Sequence, residues 1–243
     1  MILDRSVRLP YPQRFGRSKW KGPEARGISR PDLRGQTSRQ FKRRNMKIII
    51  GAVLLLLMSC AVSAQDMPST SLTKGTWELG LFGGGGTGLN HADDTRFFYS
   101  GGRVGLVLTG EHFSGLLRGN FEWAADFMPV YVVVTPGGSI YGGSFKPVIW
   151  QWNFTSGRKI SPYIAIAGGV LFSTNNVPPG NTSYVNFTPQ GAFGAHIFLK
   201  HGRALLLEGA IVHHSNASLG TQNPGYNAAL FITVGYSWFK GGK

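Results

Sequence analysis

Two side chains have the types and spacing for nucleophilic catalysis. They are His213 and Ser215, within residues 204–227, ALLLEGAIVHHSNASLGTQNPGYN. A serine hydroxyl attacks well only when a base takes its proton, and the base needs a third group to orient it. In a strand, alternate side chains share a face. Leu205, Leu207, Gly209, Ile211, His213 and Ser215 would share one, and Glu208, Ala210, Val212, His214 and Asn216 the other. An apolar row then ends in an imidazole and a hydroxyl on one side, an arrangement suited to an apolar substrate. The plainer reading is a satisfied polar pair at a strand end. His214 should point inward as a structural residue, and no metal site is expected from His213 and His214, because neighbours on a strand face opposite ways.

The surrounding chain has the pattern of a β-barrel. Beyond residue 74 no helical period stands out, and glycine-rich, aromatic segments alternate between turn residues. Eight strands are predicted, at 75–90, 96–110, 114–134, 141–154, 160–174, 183–199, 204–217 and 226–239. Trp77, Leu79 and Leu81 oppose Glu78 and Gly80; Val148, Trp150, Trp152 and Phe154 oppose Ile149, Gln151 and Asn153; Leu230, Ile232, Val234, Tyr236 and Trp238 oppose Phe231, Thr233 and Ser237. One face is large and apolar, the other small or polar. A soluble lipocalin-like barrel turns the large face inward, and a membrane barrel turns it to lipid. Glycine richness, long strands and the terminal Tyr236-Ser237-Trp238-Phe239 favour the membrane form. The expected fold is all-β, an eight-stranded antiparallel up-and-down membrane β-barrel. It must close, because an open edge in lipid leaves backbone groups unpaired. Arg118, Glu122 and Glu208 are expected to pair inside.

The segment from Met46, MKIIIGAVLLLLMSCAVSAQD, reads as a secretory signal peptide over 46–64, with Lys47 as its positive region and small residues before a cut at Gln65. Met46 is therefore the expected start. Residues 1–45 are expected to be an over-called or disordered N-terminal extension, 65–74 a short leader and 75–240 the β-barrel domain. The formal charge of +14 is concentrated in that extension, which holds 13 of the 25 Lys+Arg and only 3 of the 11 Asp+Glu. No nucleic-acid partner is inferred from it. The one cysteine, Cys60, lies inside the signal, so neither a disulfide nor a cysteine metal site is expected in the exported chain. Leu57-Met58-Ser59-Cys60 is a weak lipobox, and lipidation of Cys60 is left open. Gly83-Gly84-Gly85-Gly86 lacks a following helix and Lys-Ser/Thr, which argues for close packing or a bend over a phosphate loop.

With these residues in view, His213-His214-Ser215-Asn216 followed by Asn223-Pro224-Gly225 resembles the His-x-Ser-Asn signature of the PagL-type lipid A 3-O-deacylases, also grouped as acyloxyacyl hydrolases. The likeness is sharp over 211–227 and diffuse elsewhere. It implies an outer-membrane serine esterase that removes an ester-linked acyl chain from lipid A (lipopolysaccharide) in the outer leaflet, among membrane lipids. It needs no metal and no cofactor, and a homodimer is left open. Carried over residue by residue, Ser215 is the nucleophile and His213 the base. Asn216 is the asparagine after the serine, and Asn223 the one assigned to the oxyanion. The family's acid, a glutamate, falls at Asn227, a departure that puts the rate in doubt. An amide oxygen can hold the imidazole tautomer but does not stabilise imidazolium as a carboxylate does. Glu208 has the wrong parity for this role, and Asp93 and Asp94 remain as loop alternatives. His91, His112, His196 and His201 receive no role. The rival reading is a catalytically inactive small barrel with a structural or binding role.

Overall fold

A computed structural model describes residues 72–89, 94–157, 159–180, 182–222 and 228–242. The signal peptide, the extension and most of the leader lie outside the described residues, as do His91, Asp93, Asn223 and Asn227.

The chain runs β1 (Thr76–Gly88), β2 (Arg96–Val107), β3 (Gly119–Thr135), β4 (Gly138–Phe154), β5 (Ile160–Ser173), β6 (Val185–Phe187), β7 (Gln190–Phe198), β8 (Arg203–His213) and β9 (Ala228–Gly241). Each pairs antiparallel with its neighbours, β9 pairs with β1, and the β4–β5 pairing closes the ring. β6 and β7 are one stave. They face β5 in a single register, Val170 opposite Phe187 and Ala167 opposite Gln190. The break falls at Thr188-Pro189, where proline has no N–H for the ladder. The barrel therefore has eight staves, as the sequence pattern predicts.

Exposure settles which way the alternation points. Leu79 is 63 % and Ile166 66 % exposed, and Trp77, Leu81, Phe127, Ile232 and Val234 are also turned out, while Glu78, Glu122, Asp126 and Glu208 are buried. A soluble barrel inverts this arrangement; an apolar wall around a polar interior suits lipid. Among the described residues no helix is long and apolar enough to cross a membrane, and the strands do the crossing.

The interior is filled. Arg103 bridges Asp126 at 2.7 and 3.0 Å and reaches Glu208 at 3.5 Å. Tyr163 donates to Glu208 at 2.7 Å, and Asn153 donates to Glu122 at 2.7 Å. His196 lies 3.3 Å from Glu78, which accepts a hydrogen bond from Ser237. Towards the end opposite the termini, Phe97, Tyr99, Tyr131 and Phe231 pack into an aromatic core. At the termini's end Leu72, Val107, Phe198, Ala204 and Phe239 close the lumen, with Asn120 donating to the Leu72 carbonyl. The end of the leader is thus part of the barrel's packing.

One detail departs from expectation, and another bears it out. Arg118 does not join the interior. It lies in the β2–β3 connection beside a short 3-10 turn, Gly115–Leu117, where it donates to Glu111 at 2.7 Å. Its predicted strand starts only at Gly119, and the hydrogen bonds from Arg118 hold the Glu111 carboxyl below its ordinary value. Arg103 takes the interior place foreseen for Arg118. The glycine run of β1 is a close-packing device: a Cβ on Gly84 would collide with the Ile232 carbonyl and the Tyr99 ring, and one on Gly86 with the Phe231 ring. Glycine allows these large inward rings to approach the strand.

Candidate active site

The predicted pair stands at the end of β8, at the barrel end remote from the paired residues Thr76 and Gly241. His213 is the last residue of the strand, opposite Ala228, and its N–H donates to the Pro189 carbonyl at 2.9 Å. Ser215 continues the same ladder. It bridges Phe187, with Ser215 N–H donating to Phe187 O at 3.0 Å and Phe187 N–H to Ser215 O at 2.7 Å. The period of two therefore persists to residue 215, and the outward face carries Ile211, His213 and Ser215 beside Phe187 and Pro189. His213 is exposed and Ser215 half-buried.

His214 faces inward, as its parity requires. It is buried, stacks on Phe97 at 5.0 Å between centroids, and meets the Tyr131 hydroxyl at 3.2 Å through Nε2. It anchors the strand end that presents His213 and Ser215.

Asn216 is buried and knots the loop that follows. Its Nδ2 donates to Gln222 O at 2.9 Å, and its Oδ1 accepts from Ser218 N–H at 3.0 Å. Ala217 and Ser218 adopt left-handed backbone with φ of 47° and 64°, which turns the chain sharply after the serine. Ala217 N–H approaches the Ser215 hydroxyl at 3.3 Å. Among the described residues no hydrogen bond joins the His213 ring to that hydroxyl. Same-face neighbours two apart on a strand stand about 7 Å apart at Cα, and catalytic hydrogen bonds are often long before substrate binds.

Asn223 and Asn227 lie outside the described residues. Asp94, the described one of the two loop aspartates, is exposed in the β1–β2 connection. Leu89 N–H at the root of that connection donates to Ala228 O at 2.9 Å. It therefore begins two strands from His213, roughly 10 Å at the usual strand spacing. Glu208 faces the lumen, where it is held by Tyr163 and Arg103. Among the described residues no group of His, Cys, Asp and Glu is arranged to hold a metal ion.

Sequence reasoning missed Phe187 and Pro189, which flank the pair from the neighbouring stave. Strand alternation places both outward, but only the register across staves shows that they stand beside Ser215 and His213.

The family model for lipid A 3-O-deacylase (PagL) matches residues 70–237. No curated protein matches the chain. Among solved structures, the outer-membrane enzyme PagL is similar at 16 % identity and a TM-score of 0.40, covering 65 % of this chain and 98 % of its own. The N-terminal β-barrel domain of Pseudomonas aeruginosa OprF is similar at 14 % identity and a TM-score of 0.44, covering 68 % and 99 %. The family match, which reaches into all eight staves, is what assigns the chain. It belongs to the lipid A 3-O-deacylase (PagL) family of bacterial outer-membrane β-barrels.

Proposed function

We propose that the protein is a serine esterase that releases an ester-linked acyl chain from lipid A. The observation that carries this reading is the outward pairing of His213 and Ser215 on one face, beside the exposed rings of the apolar wall. The Ser215 hydroxyl attacks the acyl carbonyl while His213 takes its proton. His213 then returns that proton to the sugar oxygen as the ester bond breaks. Water, deprotonated by the same imidazole, cleaves the acyl-serine and releases the fatty acid. Asn227 would orient the imidazole, and Asn223 would donate to the oxyanion, as the family's pattern assigns them. Asn216 acts through the loop, since both ends of its amide are engaged there. The acyl chain lies along Phe187 and Ile211, in the hydrocarbon that surrounds the wall. Residues 46–64 direct export and are removed.

Mass spectrometry of lipid A exposed to the wild-type barrel tests the reading. Loss of one acyl chain, and retention of it with Ser215→Ala, is the expected pair of results. One observation favours the inactive barrel: the imidazole and hydroxyl are not hydrogen bonded. An unchanged acyl pattern with the wild-type protein would establish it.

A further inference from the structure

A cleft of about 460 Å³ opens at the barrel end that carries Ser215, between the β3–β4 turn and the β5–β6 connection. Thr135, Ser139, Thr174, Asn175, Asn176 and Tyr184 line it, with glycine, proline and one isoleucine between them. Among the described residues that line it, none carries a charge. Tyr184 is 62 % exposed, and the Asn175 side chain is also exposed.

The β5–β6 wall of the cleft is already folded. Asn176 Nδ2 donates to Gly180 O at 2.7 Å, the Thr182 hydroxyl donates to Pro178 O, and Val177 N–H donates to Ser183 O at 3.0 Å. Val177 is buried in the core. Little ordering is left to be lost on binding.

Hydroxyls, carboxamides, peptide groups and one open aromatic face match a neutral polyhydroxylated ring. Its hydroxyls pair with donors and acceptors of both kinds, and its C–H face lies on the ring. A phosphate would call for a cation, and among the described lining residues there is none.

The cleft also adjoins the candidate active site. Tyr184 precedes Phe187 by three residues, roughly 10 Å of strand rise, and Phe187 bridges Ser215. Gly220, in the loop after Ser215, comes so close to the Thr182 carbonyl that a Cβ there would collide with it. The wall of the cleft and the loop after the serine are packed together.

We infer that this cleft is a saccharide subsite, which holds a neutral sugar of the glycolipid whose ester lies at Ser215. The identity of the glycolipid rests on the esterase reading; the recognition of a neutral sugar does not. Saturation-transfer NMR of a neutral N-acetylglucosamine disaccharide with the full barrel in detergent tests it. Wild type and Ser215→Ala should give equal transfer, and Tyr184→Ala and Asn175→Ala should each lose it several-fold. Tyr184→Phe, which keeps the ring, should retain most of it. No transfer to the wild-type barrel, or equal transfer to Tyr184→Ala and Asn175→Ala, would overturn the subsite. Hydrolysis of a sugar-free p-nitrophenyl ester by the wild type is measured alongside. Its absence counts against the esterase reading and leaves the binding result standing.

Discussion

Ser215 and Phe187 exchange both backbone hydrogen bonds across two neighbouring staves. That single bridge extends the ladder past the last regular residue of β8, so the serine side chain stays on the face of His213. A loop beginning at His214 would have left its direction undetermined. The bridge also sets Phe187, an exposed ring, beside the hydroxyl.

The two adjacent histidines should separate chemistry from stability. His213 is exposed and His214 is buried against Phe97 and Tyr131. His213→Ala should lower acyl release by about 10²–10⁴-fold, the usual loss when a positioned base is removed, with little change in urea resistance. His214→Ala should cost about 1–3 kcal/mol of stability through the orphaned buried hydroxyl of Tyr131. Fatty-acid release and urea unfolding in detergent, run on both variants, measure the contrast.

Asn227→Glu restores the carboxylate expected by the family pattern. An acid beside the imidazole stabilises its protonated form, which an amide does not. Acyl release should rise at least about ten-fold. An unchanged rate in a correctly folded variant would show that residue 227 is not the third member, and Asp94→Asn would then be the next variant to assay.

The lumen network should respond to the loss of one charge more than to the loss of several. Arg103 is 2 % exposed and is bound to Asp126 and Glu208. Arg103→Ala removes the cation that both buried carboxylates contact and should cost about 3–5 kcal/mol. Replacing Arg103, Asp126 and Glu208 together by apolar residues of similar volume should cost less than Arg103→Ala alone. Urea midpoints of the folded barrel, scored by its shifted mobility on unheated gels, decide between these outcomes.

Gly84→Val should also destabilise the barrel. Its side chain would collide with the Ile232 carbonyl and the Tyr99 ring. Gly191→Val, where nothing lies within 4 Å of an added Cβ, should fold nearly as well as the wild type. The same gel-shift assay compares the two.

Much of the fold was legible because a barrel strand has a period of two. Trp77, Leu79 and Leu81 against Glu78, or Trp150 and Trp152 against Gln151, show the alternation directly. Which face meets lipid was not legible from period alone, and the exposure of Leu79 and Ile166 settles it. Parity likewise separated His213 from His214 and sent Glu208 inward. Pairing partners were not legible. Arg118 has a charge suited to the lumen but lies in a connection, while Arg103 meets Asp126 because β2 and β3 align those two residues. His196 seemed scattered in sequence, yet closure of the barrel brings it to Glu78. Phe187 and Tyr184 were hidden for the same reason, because their roles depend on the stave beside them.

The most direct measurement is fatty-acid release from purified lipid A by the refolded barrel, wild type against Ser215→Ala. The esterase account predicts release by the wild type and none above background from the variant, with both equally folded by gel mobility. Equal release from the two proteins, or none from a folded wild type, would contradict it.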